Sequence, residues 1–204
     1  MQTLYLGAQN TSIQWYDLSR KDTRPAPSLR SHPSERKHRF FDSKGPSGVS
    51  TPRPTETAEY LDHGGQILEI DKTNIIQYAH YGYVYCMVLC TGLEPDTTRD
   101  ILVTGGGDGT IKLWRLTKEA GGAVQEIGVL ENGDNSVLSM ALNNTMLYAG
   151  RLEGEVNVWD LETRQLIQTF NAYEADVLTI SVGNGLIFTG GADGRAKVGM
   201  ANQV

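Results

Sequence analysis

The sequence predicts an all-β fold built from a repeated strand–turn–strand unit. Three segments align without gaps, and each consists of an apolar strand, an acidic-Gly turn and an alternating strand: residues 101–116, 146–161 and 186–198. A Gly after an acidic residue favours a tight hairpin, because that turn requires positive φ. Glycine supplies 23 of the 204 residues, about 11% against an average near 7%. Both observations favour many short strands joined by tight turns.

The repeat has a regular spacing. Asp108 and Glu153 are 45 residues apart, and Glu153 and Asp193 are 40 apart. A fourth copy opens the chain at residues 4–18, where Asn10-Thr11 takes the turn. A period of 40–45 residues with a Trp-Asp ending is typical of a propeller blade. The chain therefore resembles WD-repeat β-propellers. We expect an all-β WD-repeat β-propeller fragment of about four blades, the first and last incomplete.

The period and the charge pattern together predict the chain's organisation. Residues 19–59 hold nine Lys/Arg, five Asp/Glu and six of the seven prolines, whereas the whole chain has a net charge of −6. We expect a long, basic, disordered insertion within an acidic body. The predicted segments are a partial first blade (1–18), the insertion (19–65), the second (66–116), third (117–161) and fourth (162–198) blades, and a tail (199–204).

Composition also excludes several function classes. An acidic body is poorly suited to neutralising nucleic-acid phosphates. The chain contains no run of about 18 apolar residues for a membrane span and no N-terminal signal peptide pattern. We therefore expect a cytoplasmic protein without nucleic-acid or membrane partners.

The resemblance to WD repeats implies a buried tetrad of hydrogen-bonded side chains. One blade fits it fully, with His80, Thr104, Asp108 and Trp114. The other blades fit in part. The third blade keeps Glu153 and Trp159 but has Ala149 in place of the Ser/Thr. The fourth keeps Thr189 and Asp193 but has Tyr173 in place of the His and Gly199 in place of the Trp. Imidazole, hydroxyl and indole groups can satisfy a buried carboxylate. We therefore interpret His80 as a structural residue rather than a base or a ligand.

Several stretches are more specific than a propeller requires: residues 7–15, 38–46, 77–86 and 150–161. They resemble the N-terminal WD-repeat region of the fungal glutathione-degradation peptidase subunit. That family joins a propeller to a di-zinc domain of the aminoacylase/carboxypeptidase type. It cleaves the γ-glutamyl bond of glutathione with a glutamine-amidotransferase-like partner. The resemblance implies cytosolic thiol metabolism, with zinc held only in a peptidase domain that these residues do not contain.

No catalytic, cofactor-binding or metal-binding residue can be assigned from the sequence. The four histidines are His32, His38, His63 and His80, and no His-x-Asp pair occurs, although a two-zinc site requires clustered His and carboxylate ligands. We expect a non-catalytic protein-interaction scaffold, even if the full-length parent is a hydrolase. The alternative is a generic WD-repeat adaptor in an unrelated assembly, and an independent enzyme is the least favoured reading.

The insertion supplies the candidate partner-binding residues. Successive loops of an antiparallel blade alternate between the two faces of a propeller. The insertion follows the strand after the turn of the first blade, and the loop at residues 91–100 precedes the strand before the turn of the second. Both therefore lie on the face opposite the acidic-Gly turns. We expect that face to bind the protein partner through two aromatic anchors and flanking cations: Arg36, Lys37, Arg39, Phe40 and Phe41. A solvated linker explains the same composition equally well.

Overall fold

The computed structural model describes residues 3–19, 24–25, 66–67, 70–93, 100–117 and 123–201. The chain forms two compact units, Met1–Ser19 with Ile70–Val204, and Arg20–Glu69. The strands in the described ranges are β1 (Thr3–Gly7), β2 (Ile13–Asp17), β3 (Arg24–Pro25), β4 (Gln66–Ile67), β5 (Ile75–Ile76), β6 (Val84–Cys90), β7 (Ile101–Gly106), β8 (Thr110–Leu116), β9 (Val124–Glu131), β10 (Val137–Asn143), β11 (Met146–Arg151), β12 (Glu155–Asp160), β13 (Gln165–Asn171), β14 (Val177–Gly183), β15 (Leu186–Gly191) and β16 (Ala196–Met200).

The larger unit consists of four antiparallel sheets that follow one another along the chain. Their strand orders are β1-β2-β5, β6-β7-β8-β9, β10-β11-β12-β13 and β14-β15-β16. The register repeats between sheets: β6, β10 and β14 each have an irregularity near their start, at Val84, Val137 and Val177. This repetition confirms the all-β repeat predicted from the spacing.

Short turns with positive φ close the hairpins. In the turn between β7 and β8, Gly109 has φ of 78°, and between β11 and β12 Glu153 and Gly154 have φ of 59° and 80°. Glycine adopts this left-handed region without the steric cost that a Cβ imposes. The acidic-Gly pairs therefore end one strand and reverse the chain into the next.

The hydrophobic core lies between successive sheets. One cluster joins the first sheet to the second through residues such as Ile13, Leu102 and Trp114. A second cluster joins the second and third sheets, and another joins the third and fourth. Because strands such as β7 are buried along their whole length, each inner sheet packs on both faces, which alternating side chains allow.

The smaller unit is described only where β3 pairs with β4, with Arg24 opposite Ile67 and Pro25 opposite Gln66. Apart from Ser19 and Arg24–Pro25, the predicted insertion at residues 19–65 lies outside the described residues, as do residues 94–99 of the second predicted loop.

Candidate functional site

The second sheet contains a buried polar network of four side chains. His80 Nδ1 lies 3.0 Å from Asp108 Oδ1, and His80 Nε2 lies 2.8 Å from Thr104 Oγ1. The indole nitrogen of Trp114 donates to the same hydroxyl oxygen at 2.9 Å. His80 and Thr104 are both completely buried. The structure thus brings the four tetrad residues expected from the sequence into one continuous chain of hydrogen bonds.

Local backbone geometry positions these groups. Thr104 lies within β7, and Asp108 occupies the β7–β8 turn. Trp114 lies in β8, directly after the point where the pairing register between β8 and β9 shifts. Gly106 allows the close approach: a Cβ there would lie 2.5 Å from Asp108 Oδ1 and 2.7 Å from His80 Cγ. Such distances are incompatible with a side chain, so this network requires glycine at the end of β7.

The electrostatics of the network favour a neutral imidazole. Burial lowers the pKa of His80, although hydrogen bonding and the charge of Asp108 act in the opposite direction. The pKa of Asp108 is also lowered: burial alone would raise it, but hydrogen bonds from the Tyr81 and Thr110 backbones, the Thr110 hydroxyl and His80 outweigh that effect. A proton on Nδ1 then faces Asp108, and Nε2 accepts from the Thr104 hydroxyl.

This protonation pattern decides what the network can do chemically. The imidazole lone pair is occupied by Thr104, and the Asp108 carboxylate receives hydrogen bonds from Tyr81 N at 2.8 Å and Thr110 N at 3.1 Å. A general base must reach a substrate proton, whereas both groups here are bonded within the sheet. The arrangement therefore stabilises the fold.

The third sheet has a different arrangement. Ala149 occupies the position of Thr104, as the equivalent pairings of β11 with β12 and β7 with β8 show. The buried Trp159 Nε1 consequently has no hydrogen-bond partner. Glu153 is exposed, and its carboxylate accepts a hydrogen bond from Asn135 Nδ2 at 3.5 Å. The structure does not bring Glu153 and Trp159 together in a tetrad.

Arg151 fills the polar site of the third sheet, and the sequence interpretation missed it. Its side chain is 1% exposed, and its guanidinium donates to Asn157 Oδ1 and to the backbone oxygens of Gly109, Asn132, Gly133 and Asn135. Glu155 lies 3.9 Å away. Burial lowers the pKa of Arg151, and Glu155 and Asp134 oppose that shift. Arg151 occupies the strand position held by Gly106 in the second sheet, a substitution that a repeat alignment reveals.

The last sheet uses Tyr173 in place of a histidine. The phenol oxygen lies 2.7 Å from Thr189 O, to which it donates, and 3.0 Å from Thr189 Oγ1. Asp193 accepts from Arg195 N within its own turn. Gly199 occupies the position equivalent to Trp114, and a cavity of about 370 Å³ opens there, bordered by Phe170, Thr189 and Gly199. The structure thus brings Thr189 to Tyr173, and it leaves Asp193 at the surface.

Other sequence predictions fall outside the described residues. These are the candidate partner-binding residues Arg36, Lys37, Arg39, Phe40 and Phe41. In the described ranges, no group of three or more His, Cys, Asp or Glu side chains is arranged to hold a metal ion. The helices in those ranges are the short 3₁₀ helices Lys72–Asn74 and Leu152–Gly154, and neither is long and apolar enough to cross a membrane.

Comparison with known proteins gives this repeat its family. Residues 72–115, which include the complete tetrad, match the family model described as WD domain, G-beta repeat. The chain is built of WD repeats. Its structure resembles that of Saccharomyces cerevisiae Sqt1 with a TM-score of 0.56 and 13% identity, over 98% of this chain and 41% of that one. The similarity to Sqt1 shows the shared WD-repeat propeller fold.

Two curated WD-repeat relatives come from Saccharomyces cerevisiae. The probable di- and tripeptidase DUG2 is 31% identical over 202 residues, which cover 89% of this chain. Mitochondrial division protein 1 is 29% identical over 143 residues, which cover 61% of this chain. This WD-repeat chain spans only 23% and 19% of the lengths of those relatives.

Proposed function

We propose that this chain is the non-catalytic WD-repeat scaffold of a peptidase subunit that degrades glutathione in the cytoplasm. The observation that carries the proposal is similarity to the probable di- and tripeptidase DUG2 along 89% of the chain, a range that extends far beyond the single matched repeat. In this proposal the scaffold binds a glutamine-amidotransferase-like partner. Zinc and the residues that cleave the γ-glutamyl bond belong to a separate peptidase domain.

The polar chemistry of the described residues supports a scaffold role. The most deeply buried ionisable groups, His80 and Arg151, are each bonded to groups of the fold itself. Rigid sheets present their loops in fixed positions, which lowers the entropic cost of binding a partner. The WD-repeat fold thus provides surfaces, and the chemistry takes place elsewhere.

A domain exchange tests the proposal. The corresponding region of the yeast di- and tripeptidase is replaced by this chain, and growth is measured with glutathione as the sulfur source. We expect the chimera to support growth and a deletion of the region to abolish it. A well-expressed chimera that fails to support growth would contradict the proposal and favour an adaptor in an unrelated assembly.

An enzyme assay provides a second test. The isolated chain is incubated with a γ-glutamyl dipeptide and added zinc, and release of glutamate is measured. We expect no turnover, because the catalytic groups belong to the separate domain. Robust hydrolysis by the isolated chain would show that the scaffold assignment is wrong.

A further inference from the structure

Four tyrosines within eight residues form an exposed aromatic patch. The tyrosine patch consists of Tyr78, Tyr81, Tyr83 and Tyr85, whose exposed fractions are 79%, 94%, 48% and 49%. The rings of Tyr83 and Tyr85 meet edge to face with centroids 5.9 Å apart. Clustered exposed aromatic rings are typical of protein-binding surfaces, where tyrosine is a frequent energetic anchor.

The backbone beneath this patch is fixed by the buried tetrad. Tyr81 N donates to the Asp108 carboxylate at 2.8 Å, and Gly107 N donates to Tyr83 O at 2.8 Å. Tyr81 directly follows His80, whose ring is completely buried. The rings therefore project from an ordered backbone. Binding of a partner then costs little conformational entropy, because this backbone is already ordered.

Three members of the tyrosine patch, Tyr78, Tyr81 and Tyr83, lie on one continuous edge of the larger unit, and Tyr85 follows them in β6. We define this loop edge as residues 78–83, 107–109, 132–136, 152–154, 173–176 and 191–195. Hydrogen bonds link its segments in series: Ser136 Oγ to Gly107 O, Glu153 N to Asp176 Oδ1, and Ala192 N to Asp176 O. The edge therefore presents its side chains as a single surface.

The loop edge is strongly acidic. It contains six carboxylates and one arginine. The exposed carboxylates are Asp134, Glu153, Glu174 and Asp193. Its arginine, Arg195, is 3.9 Å from Asp193 and largely exposed, a geometry that neutralises little charge. Such a surface attracts cationic partners and repels nucleic acid.

We propose that the loop edge binds an arginine-rich segment of a protein partner. Arginine suits both features, because its guanidinium stacks on tyrosine rings and pairs with carboxylates. This inference rests on the scaffold function proposed above and names the chemistry of one partner surface. It concerns the edge with the acidic-Gly turns, opposite the face predicted to carry the insertion.

Fluorescence polarisation with defined peptides tests this interface on the full chain. The probe is a short labelled peptide in which Arg alternates with Gly and Ser, and the control peptide has Glu at every Arg position. We expect the Arg peptide to bind and the Glu peptide to show no binding. Binding should weaken between low salt and about 0.15 M salt, because exposed charges are screened.

Substitutions separate the tyrosine patch from general charge attraction. In the Tyr81→Ala/Tyr83→Ala variant we expect about tenfold weaker binding, the loss of an anchor residue. Tyr81→Phe keeps the ring and should bind within about twofold of the parent. Leu89→Ala, near the far end of the β6 strand that follows these tyrosines and 49% exposed, is the matched control and should not change affinity.

Two outcomes would overturn the inference. One is equal binding of the Arg and Glu peptides, and the other is unchanged affinity in the double tyrosine variant. Growth of the chimera described above reports on the scaffold function separately. Tyrosine-dependent peptide binding with a non-functional chimera would leave the loop edge intact and reject the peptidase context. A functional chimera without peptide binding would support the peptidase context and reject the loop edge as a binding site for arginine-rich segments.

Discussion

Replacing Arg151 by Met tests whether this buried cation stabilises the third sheet. The guanidinium joins the end of β11 to the loop before β10 and to the β7–β8 turn of the preceding sheet. Methionine has a similar length and no charge, so the variant removes hydrogen bonds with little loss of volume. The prediction therefore isolates the polar contribution of the side chain.

The size of the change in the free energy of unfolding depends on which hydrogen-bond acceptors lose their donor in the Arg151→Met variant. The bonds to Gly109 O at 2.8 Å and Asn157 Oδ1 at 2.6 Å are buried, whereas the other carbonyls lie nearer the surface and can be rehydrated. An orphaned buried polar group costs about 1–3 kcal/mol. Release of the arginine's own desolvation cost offsets part of this. We expect a net loss of about 3 kcal/mol in the free energy of unfolding.

Urea unfolding of the two proteins measures this difference. Arg151→Lys should also be destabilised, because a lysine ammonium has only three donors in place of the planar fork. Arg195→Met is the matched control: that side chain is 76% exposed, and we expect a change within about 0.5 kcal/mol. If Arg151→Met were as stable as the parent or more stable, the desolvation cost would exceed the hydrogen bonds, and our reasoning would be refuted.

Three further predictions concern the tetrad and its missing copy. Gly106→Ala should destabilise the protein by about 2 kcal/mol or more through steric overlap, whereas Gly183→Ala, which has no atoms within 4 Å of its new Cβ, should not; urea unfolding compares them. Because the pKa of His80 is lowered in the folded protein, the unfolded chain takes up a proton at a higher pH than the folded chain does. The stability present above about pH 6.5 should therefore fall as the pH decreases, by up to about 1.4 kcal/mol per pH unit. The His80→Gln variant should lack this part of the pH dependence. The lowered pKa of Asp108 adds a similar loss below about pH 3.8. Gly199→Trp should fill the cavity of the last sheet and raise the free energy of unfolding by about 1–2 kcal/mol, and Gly199→Ala should not.

The sequence was sufficient to predict the repeat because its information is local. Acidic-Gly pairs require particular backbone angles, and alternating strands determine which side chains share a face. For the second sheet this also predicted which four side chains meet: His80, Thr104, Asp108 and Trp114. Their spacing in the sequence places them at equivalent positions of a known repeat.

The remainder of the site depends on contacts between distant segments. Arg151 reads as an ordinary surface cation at the end of a strand, and only packing reveals that carbonyl groups from two loops surround it. The tyrosine patch was similarly hidden, because the apolar stretch at residues 83–90 is typical of a buried strand. Exposure of Tyr81 depends on how the tetrad holds the preceding histidine, which local pattern does not specify.

Comparison of the three complete or nearly complete sheets explains why the tetrad varies. In the second sheet a glycine at the end of β7 leaves space for His80. In the third sheet Arg151 occupies that strand position, and its guanidinium binds the carbonyls of the leading loop, 132–135, directly. In the fourth, Gly191 leaves space beside the ring of Tyr173. A glycine next to the aromatic ring of a histidine or tyrosine, and an arginine with no such ring beside it, are thus alternative ways of filling the same site.

The two solutions have the same mechanical consequence. Each ties the loop that precedes a sheet's first strand to its central strands, so the loop is held from beneath by buried bonds. Its outward side chains can then vary with little loss of stability, since they make none of the hydrogen bonds of the buried network. This separation explains how an aromatic residue, Tyr81, and two acidic residues, Asp134 and Glu174, come to be displayed on one loop edge. Specificity for a partner can therefore change along this edge while the sheets beneath it stay the same.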